Sequence, residues 1–342
     1  MTLQVVQFEE KHLEDAAALF AQRYRQAREL ACQAPDYENS STLLPRLKQL
    51  VATVPSVAVL QGGRLAGFLA AYLLEDLHGQ RAVYSPEWAN AADTDNTRQI
   101  YQAMYASLAS RWVRNGYLAH YVSVLACDPL VLETLHWMSF GMMGVDAVRD
   151  VSPIEAGGAG IDIREATSDE IPDVVGLNQE LERYMASAPI FLPLTKKCDA
   201  RYYQEWLADS NSRLWLAYHD DEAVGYIKLQ KWDPDVCLVT QDDRSVSIVG
   251  AFTKERFRGR GVGTALLSQV LSWARSMGFE RCAVDLATES TRHSLLAAVF
   301  WTCVLFCRLP RESADLLGTL GSQCARYVVK RIAKLFWCYN YS

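Results

Sequence analysis

The strongest constraint on the fold of this chain is a sequence that occurs twice within its 342 residues. Residues 66–69 (AGFL) correspond to residues 224–227 (VGYI), and the segments before them match at the same offset. Trp112 then corresponds to Trp273, where the offset has grown by three residues, so the first copy is slightly shorter. Self-similarity over this length indicates the tandem duplication of one domain.

The duplication predicts the domain boundaries. We expect a first domain over residues 1–152, a linker at residues 153–160, a second domain over residues 161–301 and a divergent tail at residues 302–342. Glycine and alanine dominate the end of the linker, a composition typical of flexible connections. Two domains of this size are usual for a chain of this length.

Each copy has the same predicted order of elements: a strand, an amphipathic helix, a hairpin, and a further strand that leads into a second helix. In the second copy we expect the hairpin turn at residues 220–222 and the second helix from Gly263 to Met277. Gly278 should end this helix in the left-handed conformation. Residues 282–286 then read as a buried strand, and helices on both faces of a sheet predict an α/β or α+β fold.

The segment most informative about function is residues 249–267, VGAFTKERFRGRGVGTALL. An apolar strand leads into a basic turn, and the turn opens directly onto an amphipathic helix. Gly259, Gly261 and Gly263 permit positive φ and a close approach of the backbone to a ligand. The N–H groups and the positive dipole end at a helix N terminus favour a phosphate or a pyrophosphate.

Two common glycine loops do not match this segment. A Walker P-loop needs Lys-Ser/Thr after its second glycine, and a dinucleotide-binding fingerprint needs Gly-x-Gly-x-x-Gly. The sequence instead contains an Arg-x-x-Gly-x-Gly pattern at Arg258, Gly261 and Gly263. With its preceding strand and following helix, this pattern resembles the acyl-CoA loop of the GNAT superfamily of N-acetyltransferases. A plain solvated arginine turn is the simpler alternative.

The resemblance implies two tandem GNAT-like domains, each a mixed, mostly antiparallel sheet flanked by helices. It also implies that acetyl-CoA is the co-substrate, with its pyrophosphate on the loop and its pantetheine paired with the preceding strand. The residues that would bind it are Ala251, Phe252, Thr253, Arg258, Gly259, Arg260, Gly261, Val262, Gly263 and Thr264.

The activity that the resemblance implies is direct transfer of the acetyl group to an amine of a small molecule or peptide, in the second domain. Such a transfer needs a base for the amine proton. The candidates are Glu255, which lies just past the strand, Asp285 and Glu289 at the end of the next strand, and Glu180 and Glu182 on or just after the first helix. A base that acts through water would leave no pattern in the sequence.

The residue that protonates the leaving thiolate is harder to predict. The family usually places a tyrosine on the helix after the fifth strand, and residues 294–301, which correspond to that helix, contain none. The possible substitutes in the second domain are Tyr184, Tyr202, Tyr203 and Tyr226. The missing tyrosine favours an alternative class of function, a CoA-binding or protein-interaction module without turnover.

The first copy differs from the second at the glycine loop. Residues 96–101, NTRQIY, stand in its place and contain no glycine, so their side chains would crowd a pyrophosphate. We therefore expect that the first domain has lost acyl-CoA binding. Its expected roles are packing, pairing with the second domain or shaping the substrate site.

Composition argues against several partners. The formal net charge of −6 disfavours nucleic acid, and no apolar stretch is long enough to span a bilayer. Nine cysteines without paired spacing predict a reduced, cytoplasmic protein. Cys303 and Cys307 lack further ligands nearby, so no metal is expected. A homodimer is compatible with the sequence.

The tail departs from the resemblance. Basic and apolar residues alternate at helical spacing over residues 325–336, which fits a basic amphipathic helix for a membrane surface or a partner. A closing strand at residues 327–329 and a divergent end that packs poorly are the alternatives.

Overall fold

A computed structural model describes residues 2–30, 34–37, 40–77, 79–155, 158, 160–187, 198–231, 242–287 and 299–308. The chain forms two compact units. The first is built mainly from residues 1–26 and 37–142, and the second mainly from residues 143–303. Within the described residues, no helix combines the length and the apolar character needed to cross a bilayer.

The first unit contains two sets of paired strands and four helices among its described residues. Its elements are β1 (Leu3–Gln7), α1 (Leu13–Leu30), α2 (Ser40–Thr53), β2 (Val57–Gln61), β3 (Arg64–Leu69), β4 (Tyr72–Leu77), β5 (Gln80–Ser85), β6 (Asn90–Ala92), α3 (Thr97–Arg114), β7 (Ala119–Leu125) and α4 (Pro129–Trp137). Strands β1, β2, β3 and β6 form an antiparallel sheet in that order. β5 pairs antiparallel with β4 and parallel with β7.

The second unit is a single mixed sheet with helices on both faces. Its elements are β8 (Gly141–Asp150), β9 (Asp162–Glu165), α5 (Ile171–Ala186), α6 (Ala200–Ala208), β10 (Ser212–His219), β11 (Glu222–Lys231), β12 (Ser245–Thr253), α7 (Val262–Ser276) and β13 (Arg281–Ala287). The strand order is β8-β13-β12-β11-β10-β9. Of these five strand pairs, β12–β13 is parallel and the others are antiparallel. The predicted mixed α/β class is confirmed.

The strand β8 precedes the predicted linker in the chain. Its ladder with β13 runs antiparallel from Gly144 opposite Ala287 to Asp150 opposite Arg281. The contacts thus group residues 143–150 with the second unit. The domain boundaries proposed from the sequence, at residues 152 and 161, stay predictions.

The duplication is visible in the order of the elements. The series β1-α1-α2-β2-β3 of the first unit recurs as β9-α5-α6-β10-β11 in the second. The hairpin predicted at residues 220–222 is present, with Asp220 and Asp221 at φ 49° and 62°. Two central residues with positive φ are typical of type I′ turns, which join twisted antiparallel strands.

The helix α7 packs on one face of the sheet, as its pattern predicts. Leu266, Val270 and Ala274 are buried against strands β10 to β13. The prediction that Met277 faces the sheet is wrong, because this residue is the C-cap and its side chain is 55% exposed. Gly278 follows with φ 84°, which confirms the predicted left-handed end of the helix. The helices α5 and α6 cover the opposite face.

The resemblance implied a helix at residues 294–301, and this expectation is wrong for its last residues. The strand β14 (Val299–Arg308) begins there, within the sequence VFWTCVLFCR. β-Branched and aromatic residues favour a strand over a helix at such positions. Residues 288–298, and the tail segment at 325–336, lie outside the described residues.

Candidate active site

The strands β12 and β13 run side by side for only part of their length. Their ladder begins with Ser245 opposite Arg281 and ends with Ile248 opposite Val284. Beyond this point β12 continues to Thr253 paired with β11 alone, and β13 continues to Ala287 paired with β8. Among the described strands, nothing pairs with this edge of β12 beyond the fork, and an extended ligand can add to such an edge by backbone hydrogen bonds.

A β-bulge marks the start of the fork. Lys228 of β11 pairs with Gly250, but its neighbour Leu229 pairs with Ile248, so Val249 is an extra residue in β12. The Val249 side chain is 43% exposed. Bulges redirect a strand and often lie next to active sites. The only sequence signal for this bulge was Gly250, a glycine inside a strand.

The turn between β12 and α7 has the backbone that its glycines predict. A 3₁₀ turn at Glu255–Phe257 leads through Arg258 to the N-cap residue Gly261. Gly259 and Gly261 adopt φ of 74° and 83°, a region that disfavours residues with a Cβ. Gly263 is different: it lies in the helix, and a Cβ there would meet no atom within 4 Å.

The first turn of α7 presents N–H groups that the helix does not use. The first helical bond runs from the Ala265 N–H to the Gly261 carbonyl, at 2.9 Å. The N–H groups of Val262, Gly263 and Thr264 precede it and have no partner within the helix. Gly263 and Thr264 are exposed, so this turn is open to an anion.

Two backbone N–H groups of the loop, including that of Arg260, which was expected to bind the pyrophosphate, donate to carbonyl groups inside the loop. The Arg258 N–H donates to the Glu255 carbonyl at 3.1 Å, and the Arg260 N–H donates to the Phe257 carbonyl at 3.4 Å. Their guanidinium groups, rather than their amides, are therefore the groups available to a phosphate.

The three arginines of the loop are held differently. Arg256 forms an ion pair with Glu222, which also binds Lys254. The Arg258 guanidinium lies 4.4 Å from the ring centroid of Tyr184, and that of Arg260 lies 5.5 Å from the ring of Phe257. Among the described side chains, no carboxylate pairs with Arg258 or Arg260. The positive charges of Arg258 and Arg260 are therefore available to bind a diphosphate.

The candidate bases lie in different places. Glu255 is exposed in the 3₁₀ turn, on the side of the phosphate loop. Asp285 is the residue after the last β12–β13 pair, so it lies in the fork, and it faces Asp146 of β8 across the ladder. The Asp285 side chain is exposed, yet desolvation by the surrounding protein raises its pKa. Glu289 lies outside the described residues.

The substitute tyrosines are mostly structural. Tyr203 and Tyr226 are fully buried, and the Tyr226 hydroxyl donates to Oδ1 of Asn178 at 3.0 Å. Tyr184 stacks against Arg258. Tyr202 is half-buried, accepts a hydrogen bond from Nζ of Lys228 at 3.3 Å, and has a pKa that burial raises to about 12.

The first unit lacks an open turn at the corresponding place. Its 3₁₀ turn at Thr94–Asn96 runs directly into α3. The Thr97 hydroxyl donates to the Asp93 carbonyl at 2.8 Å, and the Asp93 side chain accepts from the Thr94 N–H. At the offset of 161 residues that aligns Trp112 with Trp273, the helix α3 occupies the positions that correspond to the glycine turn.

The comparisons with known proteins agree with this geometry. The model of the acetyltransferase (GNAT) family matches residues 180–297, from α5 through the fork and the glycine turn. Residues 180–297 of this chain therefore belong to a GNAT-family domain. A search of curated proteins finds no match.

Two of the solved structures below, the first and the second, support a shared fold. A GCN5-related N-acetyltransferase from Sphaerobacter thermophilus has a TM-score of 0.55 at 14% identity, with 90% of this chain and 95% of that chain covered. A glucosamine N-acetyltransferase region of a fungal multi-domain GH3 β-N-acetylglucosaminidase has a TM-score of 0.52 at 12% identity, with 89% and 38% covered. A tandem GNAT protein of clavulanic acid biosynthesis has a TM-score of 0.46 at 14% identity, with 90% and 98% covered. The GNAT fold supports acyl transfer in general.

Among the described residues, no group of three or more His, Cys, Asp or Glu is placed to hold a metal ion.

Proposed function

We propose that the second unit transfers an acetyl group from acetyl-CoA directly to an amine. The observation that carries this proposal is the fork between β12 and β13 beside an open helix N terminus. The two features lie at the two ends of one continuous segment, residues 249–264. An extended thioester with a diphosphate at its far end fits that arrangement.

The ligand would bind mainly through backbone groups. Pantetheine would add to the open edge of β12 at Ala251, Phe252 and Thr253, where a backbone N–H would also polarise the thioester carbonyl. The diphosphate would meet the N–H groups of residues 262–264, and Arg258 and Arg260 would add charge-assisted contacts. Positioning of this kind supplies much of the rate enhancement of a two-substrate reaction.

Among the candidate bases, the position of Asp285 in the fork favours it over the others. The amine must lose a proton as it attacks the carbonyl carbon, the C–N bond forms, and the C–S bond breaks with its electron pair going to sulfur. A carboxylate with a raised pKa is a better proton acceptor near neutral pH than an ordinary one. Glu255 lies on the phosphate side of the site, further along the chain from the fork.

We propose that the first unit does not bind acetyl-CoA. Its α3 begins without the glycine turn, and the side chain and backbone around Asp93 already satisfy the first N–H and hydroxyl groups there. The stoichiometry would then be one acetyl-CoA per chain. The acceptor is proposed to be a small molecule or a peptide with a primary amine.

Calorimetric titration of acetyl-CoA tests the binding step. The parent should bind one equivalent, and a Gly261→Glu, Gly263→Glu variant should lose binding, because it adds bulk and negative charge at the N–H groups. Gly176→Ala is a matched control, since Gly176 is exposed on α5 and a Cβ there meets nothing within 4 Å. Equal binding by the parent and the double variant, or no binding by the parent, rejects the proposal.

The second candidate is a CoA-binding module without turnover. It is favoured by the buried state of Tyr203 and Tyr226, which makes both poor proton donors to a ligand. Release of free CoA thiol over a panel of amines separates the two functions. Steady release that depends on the amine eliminates the second candidate, and binding without release over the whole panel eliminates the first.

A further inference from the structure

A lysine is buried in the sheet of the second unit, directly beside the fork. Lys228 of β11 is 7% exposed. Lysine is seldom buried to this extent, because removing an ammonium group from water is costly. Lys228 lies among the buried apolar residues of β11, and no pattern in the sequence predicts a charged residue there.

Aromatic rings of α6 surround the ammonium group. Its Nζ lies 5.0 Å from the ring centroid of Trp206, 5.1 Å from that of Tyr202 and 5.8 Å from that of Tyr203. It also donates to the Tyr202 hydroxyl at 3.3 Å. Ring faces attract cations, most strongly where water is excluded, so this cage stabilises the charged form at a fixed place.

The neighbouring strand leaves room for the lysine stem. Gly250 is the cross-strand partner of Lys228, and a Cβ on Gly250 would lie 2.6 Å from Cε and 3.5 Å from Nζ of the lysine. The stem therefore crosses the backbone of β12 at Gly250. That residue lies between the bulge at Val249 and the proposed thioester position at Ala251.

We propose that Lys228 places a fixed positive charge beside the thioester of the acyl donor, where it stabilises the negative charge that develops on the carbonyl oxygen and on the departing sulfur. The inference rests on the proposed function and deepens it. A thioester added to the open edge of β12 would lie about 4.8 Å from that strand. The ammonium group is then within range of it in a site of low dielectric, where such a charge acts strongly. Lys228 transfers no proton in this scheme.

The arrangement also explains why no tyrosine is needed on a later helix. A preorganised charge near the leaving sulfur lowers the need for a proton donor at that atom. Trp206 is itself fixed, since its Nε1 donates to the Arg213 carbonyl at 3.4 Å, and Asp199 caps α6 by accepting from the Tyr202 N–H at 3.0 Å. The cage is therefore held from its own helix and from β10.

Isotope-edited infrared spectroscopy of bound [1-¹³C]acetyl-CoA tests the inference without an acceptor. In the parent, the thioester carbonyl band should move to lower frequency on binding. Lys228→Met should lose a clear part of this shift, with the remainder due to the backbone N–H of β12, and Lys228→Arg should keep most of it. Gly250→Ala should also lose part of the shift, because the new methyl group displaces the lysine stem without removing its charge. Gly176→Ala should match the parent.

Kinetics and stability complete the test. With the best amine of the panel, Lys228→Met should lower kcat at least about tenfold while KM for acetyl-CoA stays within about twofold. Melting temperatures show whether each variant is folded. If Lys228→Met does not fold, Gly250→Ala is the variant that tests the inference. A parent-like carbonyl band in folded Lys228→Met and Gly250→Ala overturns the inference alone. A parent that does not bind acetyl-CoA rejects the proposed function and, with it, this role.

Discussion

The guanidinium group of Arg258 lies over the ring of Tyr184, 4.4 Å from its centroid, while its Nε donates to the Thr253 carbonyl at 3.1 Å. Three elements thus meet at this arginine: the glycine turn, the end of β12 and the helix α5. The contact fixes the direction of a long side chain that would otherwise sample many rotamers. An arginine held in this way can bind a diphosphate at a lower entropic cost.

The first prediction follows from this stacking. Tyr184→Leu should weaken acetyl-CoA binding about two- to fivefold, because an exposed cation–π contact contributes about 0.5–1 kcal/mol. Tyr184→Phe keeps the ring face and should bind as the parent does. Calorimetric titration measures both. A parent-like Kd for Tyr184→Leu would show that the ring does not position Arg258.

The second prediction separates two glycines of the loop. Gly261→Ala should lower the free energy of unfolding by about 1–2 kcal/mol, because φ is 83° at this residue. Gly263→Ala should leave stability unchanged or raise it by up to about 1 kcal/mol, because its φ is not positive and a Cβ meets nothing within 4 Å. Urea unfolding of the two variants measures the difference. Equal destabilisation by both would contradict the assigned backbone.

These two glycines also show how far the sequence could predict the site. The turn, the hairpin at Asp220 and Asp221 and the helix end at Gly278 depend on local chemistry, and the sequence predicted them. The bulge at Val249 depends on the register between β11 and β12, which no local pattern specifies.

Long-range contacts explain the other features of the structure that the sequence did not predict. The sequence did not indicate that β8 pairs with β13, because a strand does not encode its partner. It also did not identify Lys228, because its burial depends on rings of α6, about twenty to thirty residues earlier in the chain. Both features arise from tertiary contacts.

The third prediction concerns the base. Asp285→Asn should lower kcat about 10²- to 10⁴-fold with the best amine, and Glu255→Gln should leave it near the parent value. Because desolvation raises the pKa of Asp285, kcat/KM of the parent should rise with pH through a value above that of an ordinary aspartate. Initial rates between pH 4 and pH 9 measure this rise of kcat/KM with pH. A parent-like kcat in Asp285→Asn, with the same pH dependence of kcat/KM as the parent, would show that another group, or water, accepts the proton.

The fourth prediction concerns the stability of the first unit. His120 is fully buried, its Nε2–H donates to the Tyr117 carbonyl at 3.0 Å, and its Nδ1 accepts from the Tyr105 hydroxyl at 2.9 Å. Burial lowers its pKa from 6.5 to about 4. The neutral form is thus favoured in the folded state, so its contribution is fully present above pH 6.5 and is lost as pH falls toward 4.

The expected loss for this histidine is about 3 kcal/mol across that window. Urea unfolding at several pH values between 4 and 8, followed by a probe in the first unit, measures it. His120→Gln should be less stable than the parent at pH 8 but should lose less stability on acidification. A variant with the same pH slope as the parent would assign the slope to other groups.

The central claim is that the amides at the start of α7 bind the diphosphate of acetyl-CoA. Backbone ¹⁵N chemical shifts of the full chain, recorded with and without acetyl-CoA, test it most directly. We predict large shifts for Val262, Gly263 and Thr264 and none for the first turn of α3 in the other unit. Unchanged shifts at residues 262–264 in the presence of bound acetyl-CoA would contradict the account.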